Sequence, residues 1–206
     1  TPAAPGPYLI PVARPYAVLS HMVEDPVYET LNFLLIGTAP GEEEAGPALV
    51  SYLPEGTRLL GVEVAGGVAT VNLSAEFMGG GSGNSDVILD AAVLHRRLAQ
   101  VVFTLTRFPE IDQVRFLIEG GEPGVPGEEW MSGGGAATRA DFADLLPPVL
   151  IESPVHWASG GESPLVVTGT ANVFEAVVSL ELLDQDGAVL WEGTTMATCG
   201  TGCRGE

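Results

Sequence analysis

The stretch from Ser85 to Gly120, SDVILDAAVLHRRLAQVVFTLTRFPEIDQVRFLIEG, limits the fold more than any other. Val87, Ala91, Leu94, Leu98, Val101, Leu105 and Phe108 recur at steps of four and three, so on an α-helix they share one face. Ile88, Ala92, Ala99 and Val102 widen that stripe to the breadth of a helix lying flat on a sheet. Arg96, Arg97, Gln100, Thr104 and Arg107 fall largely on the opposite, polar side. Ser85 or Asp86 supplies the N-cap. Pro109 stops the helix, because the residue before a proline is pushed out of the helical region. Val114, Phe116 and Ile118 then alternate with Arg115 and Leu117, a strand pattern. Helix, turn and strand together return apolar surface onto itself.

Upstream, Tyr8 to Pro15 reads as an edge strand interrupted by Pro11. In EDPVYETLNFLLIG, Asp25 caps a helix, Pro26 takes its first position and Gly37 ends it, with Val27, Leu31, Leu34 and Leu35 as the buried face. Glu42–Glu44 is an acidic run in the following loop. Thr57 to Phe77 reads as a hairpin with Gly66 and Gly67 in the turn, and MGGGSGNSD connects it to the long helix. The order strand, helix, hairpin, helix, strand predicts an α+β domain over 1–122. Its two helices pack on one face of a small, mostly antiparallel sheet.

From Gly121 the composition shifts to Gly, Pro and Glu, which marks 123–147 as a linker carrying Trp130 and a short helix, DFADLL. Thr138 and Asp141 fit a capping-box variant before that helix, and Pro147 with Pro148 ends it. Over 148–206 the pattern is all β. Val149–Glu152, Pro164–Ala171, Ala176–Leu183 and Ala188–Ala197 are strand-like, and Asp186 with Gly187 marks a hairpin turn.

Composition removes whole classes of function. A hydrophobic fraction of 46% supports a packed core. The net charge of -19 argues against nucleic acid and against docking on anionic lipid through a basic patch. All eight cationic side chains are Arg, which excludes a phosphate-loop lysine, a Schiff-base lysine and a Ser–Lys dyad. No run approaches the ~20 apolar residues of a membrane span. The opening TPAAPGP has the look of a tether left after removal of a signal peptide.

The residues Arg97 to Phe116 (RLAQVVFTLTRFPEIDQVRF), with Leu53 to Phe77 upstream (LPEGTRLLGVEVAGGVATVNLSAEF), resemble the GerMN domain of bacterial sporulation and spore germination proteins. Glu152 to Gly193 (ESPVHWASGGESPLVVTGTANVFEAVVSLELLDQDGAVLWEG) resembles the immunoglobulin-like domain of bacterial spore germination proteins. The resemblance implies an extracytoplasmic protein, secreted or lipid-anchored, with no catalytic residues to carry over. It also implies a protein partner in the cell envelope or self-association, and contact with the membrane only through a lipid anchor outside this chain. A complete sandwich of this kind needs about seven strands and ~100 residues, whereas about four strands fit between Val149 and Glu206. The expectation is a partial sandwich, its remainder truncated, disordered or supplied by a neighbour, with an apolar face and bare edges exposed. A closed core over 149–206 would overturn it.

Each residue with chemical potential has a plainer reading. His21, His95 and His156 lie in separate segments, and no GxSxG elbow frames a serine. Asp184, Gln185, Asp186 and Gly187 begin like a calcium loop but lack the later ligands in register, so a hairpin turn is favoured. Glycines 79–81 and 83 form a connector, and Glu42–Glu44 a solvated run. Trp157 and Trp191 are core or rim of the sandwich, with sugar stacking left open. Cys199 and Cys203 are spaced too widely for a CxxC redox motif and have no second pair for zinc; a small disulfide is favoured over free thiols. No cofactor, metal or catalytic set is called for. The function expected is non-enzymatic, through protein–protein contact or assembly, with a module for cell-wall glycan or peptide as the alternative.

Overall fold

The computed structural model describes residues 8–13, 25–37, 49–79, 90–123, 135–155 and 164–206. The chain divides into two compact units, Val18–Ala143 and Thr1–Ala17 with Asp144–Glu206.

The first unit runs α1 (Pro26–Leu35), β1 (Leu59–Ala65), β2 (Val68–Leu73), α2 (Ala91–Leu105) and β3 (Gln113–Ile118). Local sequence explains α1. The Asp25 carboxylate accepts from the N–H groups of Val27 and Tyr28 at 2.9 and 3.2 Å, satisfying two of the helix's unpaired donors. Gly37, at φ +83°, follows its last turn. Val27 and Leu31 are buried, while Leu34 and Leu35 are only half-buried. The hairpin is as the sequence predicts: Gly66 and Gly67 both have positive φ, which two-residue turns between twisted strands require.

β1 and β2 are antiparallel, but β2 and β3 are parallel. The expectation of a mostly antiparallel sheet is corrected on this point, because α2 crosses from the end of β2 back to the start of β3 and thereby aligns them. The parallel register places Ala69, Val71 and Leu73 beside Val114, Phe116 and Ile118 on one face. Against this core, α2 buries Leu94, Leu98, Ala99, Val101, Val102 and Leu105, and α2 contacts both α1 and β3.

The helix is shorter than its periodicity suggests. Asp90, not Ser85 or Asp86, is the N-cap, accepting from Ala92 N–H at 2.8 Å; Ser85 to Ile88 lie outside the described residues. At the other end Thr106 returns its hydroxyl to Val102 O at 2.7 Å, and Phe108 already sits in the turn. On the far side of β3, Ala137 forms an antiparallel bridge with Val114. Asp141 then accepts from both the N–H and the hydroxyl of Thr138, at 2.7 and 2.8 Å. The segment it starts, Arg139–Leu145, is 3-10 rather than α-helical.

In the second unit, β4 (Val149–Ser153) pairs antiparallel with β5 (Thr168–Ala171), and β6 (Val177–Leu183) with β7 (Val189–Met196). Residues 164–167 are not strand, which shortens the expected second strand. Of the interrupted edge strand expected over Tyr8 to Pro15, residues 8–13 are described, and only Val12 takes part in a β-bridge. Leu9 N–H donates to Leu145 O at 2.9 Å, and Pro11 has no N–H to extend the series. The unit buries Leu145, Leu150, Ala171, Ala176 and Val178. Among the described residues its strands make two separate two-stranded sheets, and many large apolar side chains remain exposed.

Candidate interaction surface

The polar side of α2 is engaged with the protein's own backbone. Arg97 donates from Nε to Tyr52 O at 2.9 Å and from Nη1 to Phe77 O at 2.7 Å. Gln100 Oε1 accepts from Tyr52 N–H at 2.9 Å. The Arg96 guanidinium lies 5.4 Å above the Tyr52 ring. Partial burial pushes the Arg97 pKa below its ordinary value. The side chains that periodicity assigns to a solvated margin therefore fasten two loops to the helix. Beneath them Phe77 is fully buried and stacks on Phe116, ring centroids 6.1 Å apart. Ser74 is fully buried too, its hydroxyl accepting from Arg58 N–H at 2.9 Å.

The remaining chemical candidates resolve one by one. The His95 ring packs on Phe142, centroids 4.8 Å apart. His21, His156, Glu42–Glu44, Gly80, Gly81, Gly83, Trp130 and Trp157 lie outside the described residues. Gly79, at φ +105°, ends the 3-10 turn Ala75–Met78. Asp184 Oδ1 accepts from the N–H groups of Asp186 and Ala188 at 2.9 and 2.8 Å, so its carboxylate braces the β6–β7 turn. Cys199 and Cys203 are disulfide-bonded, Cα atoms 5.8 Å apart. Among the described residues no group of three or more His, Cys, Asp or Glu could hold a metal ion. No described helix is long and apolar enough to cross a membrane. An open cleft of about 490 Å³ at the end of α1 is lined by Leu35, Ile36, Leu49, Val50 and Leu53, with Glu55 its one charged group among the described residues.

The feature with most to offer a ligand is the β6–β7 hairpin. Its register puts Val178, Leu180 and Leu182 on one face with Thr195, Gly193 and Trp191. Val178 is buried, but Leu182 is 42% and Trp191 54% exposed. The Trp191 indole folds across its own strand over Gly193, where a Cβ would sit 2.5 Å from two ring carbons. Only glycine leaves room for it there, a requirement that becomes visible once the ring's path is known. The opposite face pairs Glu181 directly with Glu192, like charges that repel. Elsewhere in the unit Phe174 is 75% and Leu190 63% exposed. Apolar exposure on this scale is a common mark of protein contact surfaces.

Two family models match the chain. The one described as sporulation and spore germination (Germane) matches residues 4–123. The one described as the immunoglobulin-like domain of bacterial spore germination (Gmad2) matches residues 149–206. The α+β fold followed by an immunoglobulin-like β region is thus the one the sequence predicts. No curated protein matches. Among solved structures, a Clostridium perfringens protein described as a lipoprotein is 20% identical, over 59% of this chain and 72% of that one, with a TM-score of 0.44. The first GerMN domain of the Bacillus subtilis sporulation protein GerM is 23% identical over 56% of this chain and 77% of that one, TM-score 0.40. The tandem GerMN domains of the same protein are 19% identical over 91% of this chain and 54% of that one, TM-score 0.42.

Proposed function

We propose that this chain, which belongs to the sporulation and spore germination (Germane) family, works outside the cytoplasm as a non-enzymatic contact module, binding a protein of the cell envelope or a second copy of itself. The observation that carries this reading is the exposed apolar face of β6–β7, with Trp191 and Leu182 in solvent. The α2 side chains add to it. Arg97 and Gln100, on the polar side of the helix, are committed to backbone groups of the unit itself. The Cys199–Cys203 disulfide suits an oxidising compartment.

Affinity capture from an envelope extract, with wild type and Trp191→Asp side by side, tests the proposal. Capture of a protein partner, or of a second copy, by wild type and its loss in the variant is the expected result. Monomer alone over a wide concentration range, with nothing captured, would refute it. The exposed indole also favours a second reading, a surface that stacks on cell-wall sugars. Co-sedimentation with purified peptidoglycan that Trp191→Asp abolishes would select that one.

A further inference from the structure

We propose that the disulfide loop Cys199–Cys203 is a redox-operated clasp that holds the segment Thr198–Glu206 against β5 and the entry to β6. The segment closes on itself around the disulfide: Thr198 N–H donates to Glu206 O at 2.9 Å, and Glu206 N–H to the Thr198 hydroxyl at 3.0 Å. From this closed loop, bonds run outward to residues 171–175 and to Pro147. Thr201 N–H donates to Val173 O at 3.0 Å, and Glu175 N–H to the Thr201 hydroxyl at 3.2 Å. Gly202 N–H donates to Asn172 Oδ1 at 3.2 Å. Gly205 exchanges both backbone bonds with Ala171, at 2.8 and 2.9 Å, and so covers part of the outer edge of β5. Arg204 donates to Pro147 O at 2.7 Å.

The fit is tight enough to exclude side chains. A Cβ on Gly200 would stand 2.7 Å from the Cβ of Ala176, and one on Gly205 would stand 2.8 Å from Cys199 O. The stretch under the clasp is itself unfavourable: Glu175 and Ala176 are consecutive non-glycine residues at φ +53° and +59°. Its contacts with the loop hold that conformation, including Thr201 to Val173 and Glu175 to Thr201. Both cysteines are half-buried and so within reach of a reagent.

The opening step is thiol–disulfide exchange with a dithiol reductant. Its thiolate attacks one sulfur of Cys199–Cys203, a mixed disulfide forms, and the reductant's second thiol displaces it. The clasp gains two thiols and the reductant becomes a disulfide. Without the crosslink, the segment loses its closed shape, the β5 edge at Ala171 is uncovered and the Glu175–Ala176 turn relaxes.

Amide hydrogen exchange on the intact protein, with and without a small dithiol, tests this, with alkylation and mass measurement reporting the thiol state. Reduction should speed exchange at Ala171, Glu175, Thr198, Thr201 and Gly205 by tenfold or more and leave β1–β3 unchanged. Gly200→Ala, with the disulfide intact, should produce the same local loss by unseating the loop. Two free thiols in the untreated protein would overturn the proposal. So would unchanged exchange on reduction, or a loss spreading through all of β6–β7, which would make the disulfide a plain structural staple.

Discussion

Replacing Arg97 by Met removes two hydrogen bonds and keeps an aliphatic stem of similar length. In the wild type the guanidinium bonds Tyr52 O at 2.9 Å and Phe77 O at 2.7 Å. A hydrogen bond to a charged group contributes about 1.5–3 kcal/mol where its loss strands a buried partner. Arg97 is half-buried, so water can take part of the load, and the two together should come to about 2–4 kcal/mol. That is a large share of the ~5–15 kcal/mol that holds a typical domain folded. Lys at the same place is a point charge without the planar fork, and should recover about half by serving one carbonyl. Urea titration of the whole protein, read by hydrogen exchange in peptides from the Val18–Ala143 unit, reports the loss. The loops around Tyr52 and Phe77 should open first. A change below about 0.5 kcal/mol, or opening that begins elsewhere, would refute the reasoning and return Arg97 to the solvated margin that helical periodicity assigns it.

Leu98 is fully buried on the inner face of α2, and Leu98→Ala should cost about 2–5 kcal/mol in the same titration. Asp184→Ala deletes the acceptor for two turn N–H groups, at a cost of about 1–2 kcal/mol; added calcium should leave the melting temperature of wild type and variant alike. The Glu76 carboxyl is held below its ordinary pKa, first by a hydrogen bond with the Ser74 side chain, then by its own backbone N–H and the charge of Arg58. A lowered folded-state pKa means that its contribution is whole above the ordinary carboxylate range and disappears as pH falls through the folded value. Glu76→Gln should therefore flatten the acid loss of stability between about pH 5 and pH 3, measured by urea midpoints at each pH.

What the sequence disclosed was local. Asp25, Pro26 and Gly37 mark a helix because caps act within a turn or two, and Gly66 with Gly67 marks a hairpin because the turn needs positive φ. The stripe through Leu94, Leu98, Val101 and Leu105 is legible because burial repeats with the helix. What stayed hidden depends on partners distant in the chain. Alternation in β3 carries no direction, so its parallel pairing with β2 had no signature of its own. Arg97 reads as surface because the carbonyls it serves are 45 and 20 residues away. Nothing in the sequence marks Gly193 as the residue that Trp191 lies across. Glu175 and Ala176 gave no hint of left-handed backbone, since residues of their types rarely adopt it. The disulfide candidate Cys199 and Cys203 stood out in sequence, but the seat its loop takes on 171–176 did not.

Site-specific photo-crosslinking in the living cell tests contact through the apolar face of β6–β7. A photoreactive residue at position 191 should give a discrete protein adduct, and one at the exposed position 110 on the other unit should give little. Equal yields at the two positions, or no adduct at 191 under conditions where the protein is folded and exported, would contradict it.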